Sequence, residues 1–271
     1  MNQGSRLLLA SAVVAAVGGG AFLYWRSQQK APEPEVVQAP AVPASAPPAA
    51  PASAIAYPIE PPAAQPPLTA ADIGAALTEL LGRKAVLSFF QLEDFPRRFV
   101  ATVDNLGRAH SPPMLWPVNP TAGRFTVEEV NGATVIAPDN SSRYTPLVLL
   151  AETVDIRRAV DLYVRLYPLL QSTYAELGYP RGYFNDRLIA VIDQLLATPV
   201  IEGPIKLELT DVKGPIPSER PWVRYQYADP SLESLSAGQK ILLRVGPVNG
   251  RRLKAKLAEI RAELLQRGTR K

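Results

Sequence analysis

The chain has 271 residues, among them 28 prolines, and a net charge of +4 at neutral pH. It contains no cysteine and one histidine. These counts exclude disulfide bonds, cysteine-zinc sites, thiol nucleophiles and metal sites built on histidine pairs, and they disfavour a Ser-His-Asp triad. The small positive charge does not by itself identify a nucleic-acid or membrane-surface binder.

An uncharged apolar run of 19 residues, 7–25, follows a short N-terminal tail, 1–6. As a helix it would be about 28 Å long, close to the thickness of the hydrocarbon core of a bilayer. Tyr24 and Trp25 end the run, where aromatic rings favour the headgroup region. A cleaved signal peptide is the alternative, but it needs a shorter apolar core and small residues at its exit. We therefore expect a retained single-pass transmembrane anchor.

Few charges determine the orientation of this anchor. One basic residue, Arg6, precedes the run, and Arg26 and Lys30 follow it. Counting basic residues near the ends favours a cytoplasmic C-terminal part. A short tail without acidic residues and a long proline-rich spacer, suited to crossing a cell wall, favour the opposite orientation. We expect the C-terminal part to lie outside the cytoplasm.

Residues 26–68 form a predicted linker. Its section 31–68 holds 12 prolines and 12 alanines. The charged residues of this section are all acidic: Glu33, Glu35 and Glu60. Such a composition buries too little apolar surface to offset the entropy of ordering, so we expect disorder. Prolines favour the polyproline II conformation, in which the section would reach on the order of 120 Å. The linker is therefore predicted to be a spacer.

Residues 69–271, called the head below, are long enough for one globular domain. Thr69 and Asp72 form a capping box that predicts a helix ending at Gly82. A second helix is predicted over 84–93. A third is expected to begin at 94–96 and to end at Gly107, before a proline-rich loop over 108–123.

The sequence of the middle of the head predicts a hairpin and three helices. Asn131-Gly132, between apolar runs at 124–130 and 133–137, is a strong signal for a two-residue hairpin turn. A helix over 144–153 should follow. The next helix carries an apolar stripe at helical spacing, expected to be core, and should bend at Pro168; the stripe is Ile156, Val160, Tyr163, Tyr167, Leu170, Tyr174 and Leu177. A further helix is predicted to begin at Asn185 or Asp186.

Alternating residues over 205–210 and 222–227 predict two more strands. Asp229-Pro230 indicates a short helix, and the capping box of Ser236 and Gln239 indicates another over 240–245. The last predicted helix places Leu253, Leu257, Ile260 and Leu264 on one face. The expected fold class is mostly α (α+β): a helical domain with two short β-hairpins or one small antiparallel sheet.

Three separated segments resemble one bacterial family: AVLSFFQLEDFPRRFVATVDNL (85–106), GYFNDRLIAVIDQLLATP (182–199) and SAGQKILLRVG (236–246). The family is the uncharacterised domain of unknown function 3014. The resemblance covers essentially all of 69–271, and the anchor and proline-rich linker also resemble that family. It implies a single-pass envelope protein of Gram-negative-type bacteria, and it supplies no activity, substrate or catalytic residue.

The segment 178–187 combines glycine, aromatic, arginine and acidic residues more densely than any other. Loops of this composition often line ligand grooves. The candidate binding residues there are Tyr179, Arg181, Tyr183, Asn185 and Asp186. The alternative is a rigid turn between helices, with Asn185 or Asp186 capping the second helix.

A second candidate for anion binding is the pair Arg97 and Arg98, which lies between two aromatic residues. Adjacent residues cannot share one helical face, so at least one guanidinium should be in solvent or paired with Glu93 or Asp94. The C-terminal helix is basic and could contact nucleic acid or anionic lipid. A solvated face with pairs such as Glu263 to Arg267 is the simpler interpretation.

No catalytic residue, metal site or cofactor is expected. Glu128 and Glu129 are adjacent on a predicted strand and therefore point to opposite faces, which makes them a poor acid–base pair. We expect a non-enzymatic protein of the bacterial inner membrane whose periplasmic head contacts another envelope protein or peptidoglycan. The alternatives are a carboxylate-dependent enzyme acting on peptidoglycan or another glycan, and a cytoplasmic membrane-tethered binder of nucleic acid or anionic lipid. We do not favour nucleic acid as a partner.

Overall fold

The structure, a computed structural model, describes residues 55–59, 66–210 and 220–269. The tail predicted at 1–6, the anchor predicted at 7–25 and most of the linker lie outside these residues. Within the described ranges, no helix is both long enough and apolar enough to cross a bilayer.

The described residues form helices connected by two short hairpins. The α-helices are α1 Ile73–Leu81, α2 Arg83–Phe89, α3 Phe95–Leu106, α4 Thr145–Thr153, α5 Ile156–Glu176, α6 Phe184–Leu196, α7 Pro230–Glu233, α8 Ala237–Arg244 and α9 Pro247–Thr269. The strands are β1 Val127–Val130, β2 Ala133–Ile136, β3 Leu207–Leu209 and β4 Tyr225–Tyr227. Short 3₁₀ helices cover Ala70–Asp72, Pro113–Leu115, Pro138–Tyr144 and Pro221–Val223.

The predicted mostly helical class is confirmed, with two antiparallel two-stranded sheets rather than one larger sheet. Strand β1 pairs with β2, and β3 pairs with β4. The predicted turn between β1 and β2 has Asn131 and Gly132 at positive φ, 51° and 75°. This is the backbone conformation that a tight hairpin turn requires.

Some predicted helix boundaries were wrong. Helix α2 ends at Phe89, four residues before its predicted end, because the chain there becomes extended and pairs with a loop. Phe90 forms an isolated β-bridge with Val118, and the amide of Gln91 donates to the carbonyl of Pro117 at 2.9 Å. Helix α5 continues through Pro168 without interruption, and the bend expected there stays a prediction.

The main core is formed by α1, α3, α5, α6 and α9. Its most deeply buried side chains include Val100, Leu170, Phe184 and Ile189. The tyrosines of the predicted stripe on α5 are core residues as expected, because each is less than a tenth exposed. The core is thus built from the helical faces that the sequence pattern indicates.

Gly238 allows α8 to approach α3 and α6 closely. A Cβ atom at this position would lie 2.5 Å from Cδ2 of Leu195 and 3.0 Å from the carbonyl oxygen of Leu106. Any larger residue would therefore push the helices apart. The close contact holds α8 against α3 and α6, where Leu242 of α8 packs with Val191 and Leu195.

A second, smaller core lies beneath the hairpins. Ile205, Leu207, Tyr227 and Leu243 are buried there together. A β-bridge between Val135 and Lys206 joins the two hairpins. This core supports the loops that form the groove described below.

Residues 55–59 differ from the expectation of a disordered linker up to residue 68. Ile59 is only 6% exposed and belongs to the main core. These residues, called the docked segment below, therefore pack on the head.

Candidate functional site

The predicted site residue Asp186 binds the docked segment. Its Oδ2 atom accepts a hydrogen bond from the amide of Ala56 at 3.0 Å, and its Oδ1 atom accepts one from the amide of Tyr57 at 2.8 Å. The carboxylate thus receives two successive backbone donors from the same chain. In the structure, Asp186 therefore binds a segment of its own chain.

Asn185 and Tyr183 bind the same segment. The side-chain amide of Asn185 donates to the carbonyl of Tyr57 at 2.9 Å, and its Oδ1 accepts from the hydroxyl of Tyr163 at 3.1 Å. The hydroxyl of Tyr183 accepts from the amide of Ile59 at 2.7 Å. Three of the five residues predicted in this loop therefore contact residues 56–59 instead of open solvent.

Tyr179 belongs to a polar network between its loop and α3. Its ring stacks on Tyr174 with centroids 4.5 Å apart, and its hydroxyl donates to Oδ2 of Asp104 at 3.0 Å. Asp104 is only 8% exposed and also accepts from Nε of Arg187 at 2.8 Å and Nε of Arg108 at 3.0 Å. A buried carboxylate bonded to two guanidinium groups holds the loop against the helices.

Arg181, the remaining candidate in this loop, is exposed. The structure therefore separates it from the four residues that make internal contacts.

Arg97 and Arg98 do not act together, as the helical geometry predicts. Arg98 donates to the carbonyls of Glu93 at 3.0 Å and of Met114 at 2.6 Å, so it braces the following loop. Arg97 is exposed and lines a cavity of about 430 Å³ that also contains Asp94 and Glu176. Its positive charge therefore has acidic neighbours, which weakens the case for an anion site there.

A larger groove, of about 510 Å³, lies on the hairpin side of the head, and none of the predicted site residues lines it. We call it the tryptophan groove, because two of the three tryptophans of the chain line it. Its aromatic lining residues are Trp116, Phe125, Tyr144, Trp222 and Tyr225. Aromatic side chains offer large apolar contact areas and lose little rotamer entropy on binding. They are frequent at binding surfaces.

Asn140, which is fully buried, holds the walls of this groove together. Its side-chain amide donates to the carbonyl of Arg244 at 2.9 Å, and its Oδ1 accepts from Nη1 of Arg143 at 2.9 Å. Arg143 in turn donates to the carbonyls of Ala122 at 3.1 Å and Gly123 at 3.2 Å. Three segments of the chain, at 122–123, 140–143 and 244, are thereby fixed around one opening.

The groove carries positive charge over aromatic rings. The guanidinium carbon of Arg124 lies 4.1 Å from the ring centre of Trp222, and that of Arg244 lies 5.7 Å from the ring centre of Phe125. Nε of Arg244 is buried without a hydrogen-bond acceptor among the described residues. Arg143 adds a third guanidinium, and no described lining residue is an aspartate or a glutamate.

This lining suits binding and not proton transfer. No described residue of the groove is an aspartate, a glutamate or a histidine, so none has an ordinary pKa near or below neutrality. In the part of the chain that the structure describes, no cluster of metal-ligating side chains is present either. The groove offers cations and rings to a ligand with negative charge and apolar surface.

A sequence signal for the tryptophan groove did exist. Trp116 and Trp222 both stand in proline-rich segments that were predicted to be loop or strand ends. A tryptophan in such a segment is not needed for a helical face, and this makes it a candidate contact residue. The arginines gave no comparable signal, because their aromatic partners are remote in sequence.

The basic charges of α9 are held by groups within the head. Each described basic residue of this helix contacts a carboxylate or a carbonyl of the chain: Arg251, Arg252, Lys254, Lys256, Arg261 and Arg267. The predicted pair of Glu263 and Arg267 is present at 3.1 Å. The helix therefore presents less unpaired charge than its sequence indicates.

A family model described as "Protein of unknown function (DUF3014)" matches residues 95–261, more than half of the chain. The match includes the segments 182–199 and 236–246 and most of 85–106, and it includes all lining residues of the tryptophan groove. No curated protein and no solved structure shows significant similarity to the chain.

Proposed function

We propose that this chain, which belongs to the family of domain of unknown function 3014, is a non-enzymatic envelope protein. An anchor over 7–25 and the linker would hold its head in the periplasm. The head would bind another envelope protein through the tryptophan groove.

The observation that carries this proposal is the lining of the groove. Five aromatic residues and three arginines surround it, without an acidic residue among the described lining. Aromatic and arginine side chains are the residue types most enriched at energetically important contacts between proteins. Val223, on the groove, is 68% exposed, so an apolar contact is also offered to a partner.

Peptidoglycan is the less favoured ligand. Sugar hydroxyl groups need many hydrogen-bond acceptors and donors, and the described lining has few polar side chains apart from its arginines. A glycan-active enzyme would in addition need two convergent carboxylates, which the described lining of the groove does not contain. A nucleic-acid role would rest on α9, whose described basic residues already have partners within the head.

The test is site-specific photocrosslinking in living cells. A photoreactive amino acid replaces Val223 in the full chain, and Leu87 is the matched control because it is also 68% exposed and does not line the groove. We expect a discrete adduct from position 223 that is absent from position 87. Adding Arg124→Glu should remove it, because this exposed arginine stacks on Trp222; it forms no ion pair among the described residues that the change would break.

The nature of the adduct separates the candidates. An adduct of discrete mass that is unchanged by a muramidase supports a protein partner. An adduct shortened by muramidase would contradict the proposal in favour of peptidoglycan. Identical adducts at positions 223 and 87 would contradict a binding role for the groove.

A further inference from the structure

We propose that the tryptophan groove binds an acidic proline-rich segment, and that Pro32-Glu33-Pro34-Glu35 of the same chain is such a segment. This inference rests on the proposed function, because it names the ligand chemistry of the same groove. It also adds regulation, since the linker then competes with an external partner for one site.

The first argument is the apolar chemistry of the groove. Grooves lined by aromatic rings recognise proline-rich peptides, because proline rings pack on aromatic faces and a polyproline II segment loses little entropy on binding. The tryptophan groove has Trp116, Trp222, Tyr144 and Tyr225 in its wall. Proline has no backbone N–H, so a groove poor in side-chain acceptors can still accommodate it.

The second argument is charge complementarity. Arg124, Arg143 and Arg244 are in the groove lining, and no described lining residue is acidic. Arg143 already donates to two carbonyl groups, whereas Arg124 contacts the ring of Trp222 and has no hydrogen bond or ion pair among the described residues. Buried Nε of Arg244 has no acceptor among the described residues. A ligand with carboxylates would supply an ion-pair partner to the exposed guanidinium of Arg124, whereas the buried Nε of Arg244 is out of its reach.

The linker offers this combination of residues. Between Ala31 and Leu68 its only charged residues are Glu33, Glu35 and Glu60. The first two alternate with Pro32 and Pro34, whereas the remaining prolines up to residue 58 have no acidic neighbour. The acidic end of the linker therefore matches the groove better than its alanine-rich part.

The linker is long enough to reach. The docked segment fixes the chain to the head from residue 55, and 19 residues, 36–54, separate it from Glu35. In the polyproline II conformation they would span about 60 Å. A domain of about 200 residues has a radius of gyration of only ~17 Å, so any point on its surface is within that distance.

The absence of cysteine makes disulfide trapping a clean test. Val36→Cys is combined with Val223→Cys in the full chain in detergent micelles, and the matched control combines Val36→Cys with Leu87→Cys, at equal exposure of 68%. We expect the first pair to form an intrachain disulfide on the order of tenfold faster, because binding raises the local concentration of one thiol at the other. Adding Glu33→Gln and Glu35→Gln should bring the rate down to that of the control.

Two results would overturn the inference: equal rates for both pairs, or a disulfide of the first pair that forms mainly between two chains. Neither would affect the photocrosslinking test from position 223 in cells, which can still trap an external protein. Failure of the linker to bind in cis is therefore distinguishable from failure of the groove as a binding site.

Discussion

At the scale of single residues, Asp186 and Asn185 bind backbone amides and a carbonyl of residues 56 and 57. The composition of their loop predicts that both side chains bind something, but not that the partner is a segment of the same chain. A hydrogen-bonding group in a loop looks the same in sequence whether its partner is a ligand or a remote segment.

Tyr167 permits a prediction of pH dependence. Burial raises the pKa of its hydroxyl, and the neighbouring Tyr183 raises it further. The unfolded chain loses this proton near pH 10, whereas the folded chain keeps it. The contribution of this group to the free energy of unfolding is therefore fully present below about pH 10, and it falls as the pH rises above that value.

Tyr167→Phe should remove this contribution. We expect the free energy of unfolding to be about 1 kcal/mol lower at pH 8, because the hydrogen bond to Gln171 is lost. Above pH 10 the free energy of unfolding of the variant should fall less steeply than that of the wild type, by up to ~1.4 kcal/mol per pH unit. Urea unfolding of both full chains between pH 8 and pH 11 measures this, and parallel curves would contradict it.

At the scale of elements, α6 both closes the core and fixes the end of the linker. Phe184 at its start is fully buried, while the next residues, Asn185 and Asp186, bind the docked segment. The helix therefore determines where the linker leaves the head. This junction at residue 55 sets the length of linker available beyond the head.

Asp186→Ala should release the docked segment without unfolding the head. The amides of Ala56 and Tyr57 lose their acceptors, each worth about 1 kcal/mol, so we expect their hydrogen exchange to be about five- to tenfold faster. Asp193→Ala is the control, because Asp193 is on the same helix but pairs with Arg261. Unchanged exchange at residues 56 and 57 would contradict the prediction and show that Asp186 is not needed to hold the segment.

At the scale of the whole molecule, the proposed function depends on which side of the membrane carries the head. We expect protease added to spheroplasts to digest the head, because a short tail without acidic residues favours the inside. A cytoplasmic marker protein that stays intact provides the control. Protection of the head until lysis would reverse the orientation and require partners in the cytoplasm.

Local patterns determined much of the helical fold. The spacing of the α5 stripe, the Asn131-Gly132 turn and the capping box at Ser236 and Gln239 each act within a few residues, and each is present in the structure. The boundary of α2 was wrong because its last residues pair with a loop more than 25 residues away. Short-range patterns carry no information about such competition.

The sequence by itself determined a predicted anchor, an acidic proline-rich linker and a helical head, because hydropathy, composition and helical periodicity are local properties. Only the tertiary structure decided where binding groups meet. The docked segment joins residues separated by more than 120 positions, and Asn140 joins the groove wall to Arg244 across 104. The tryptophan groove exists because packing of the two cores brings such remote residues together, and no local pattern encodes that proximity.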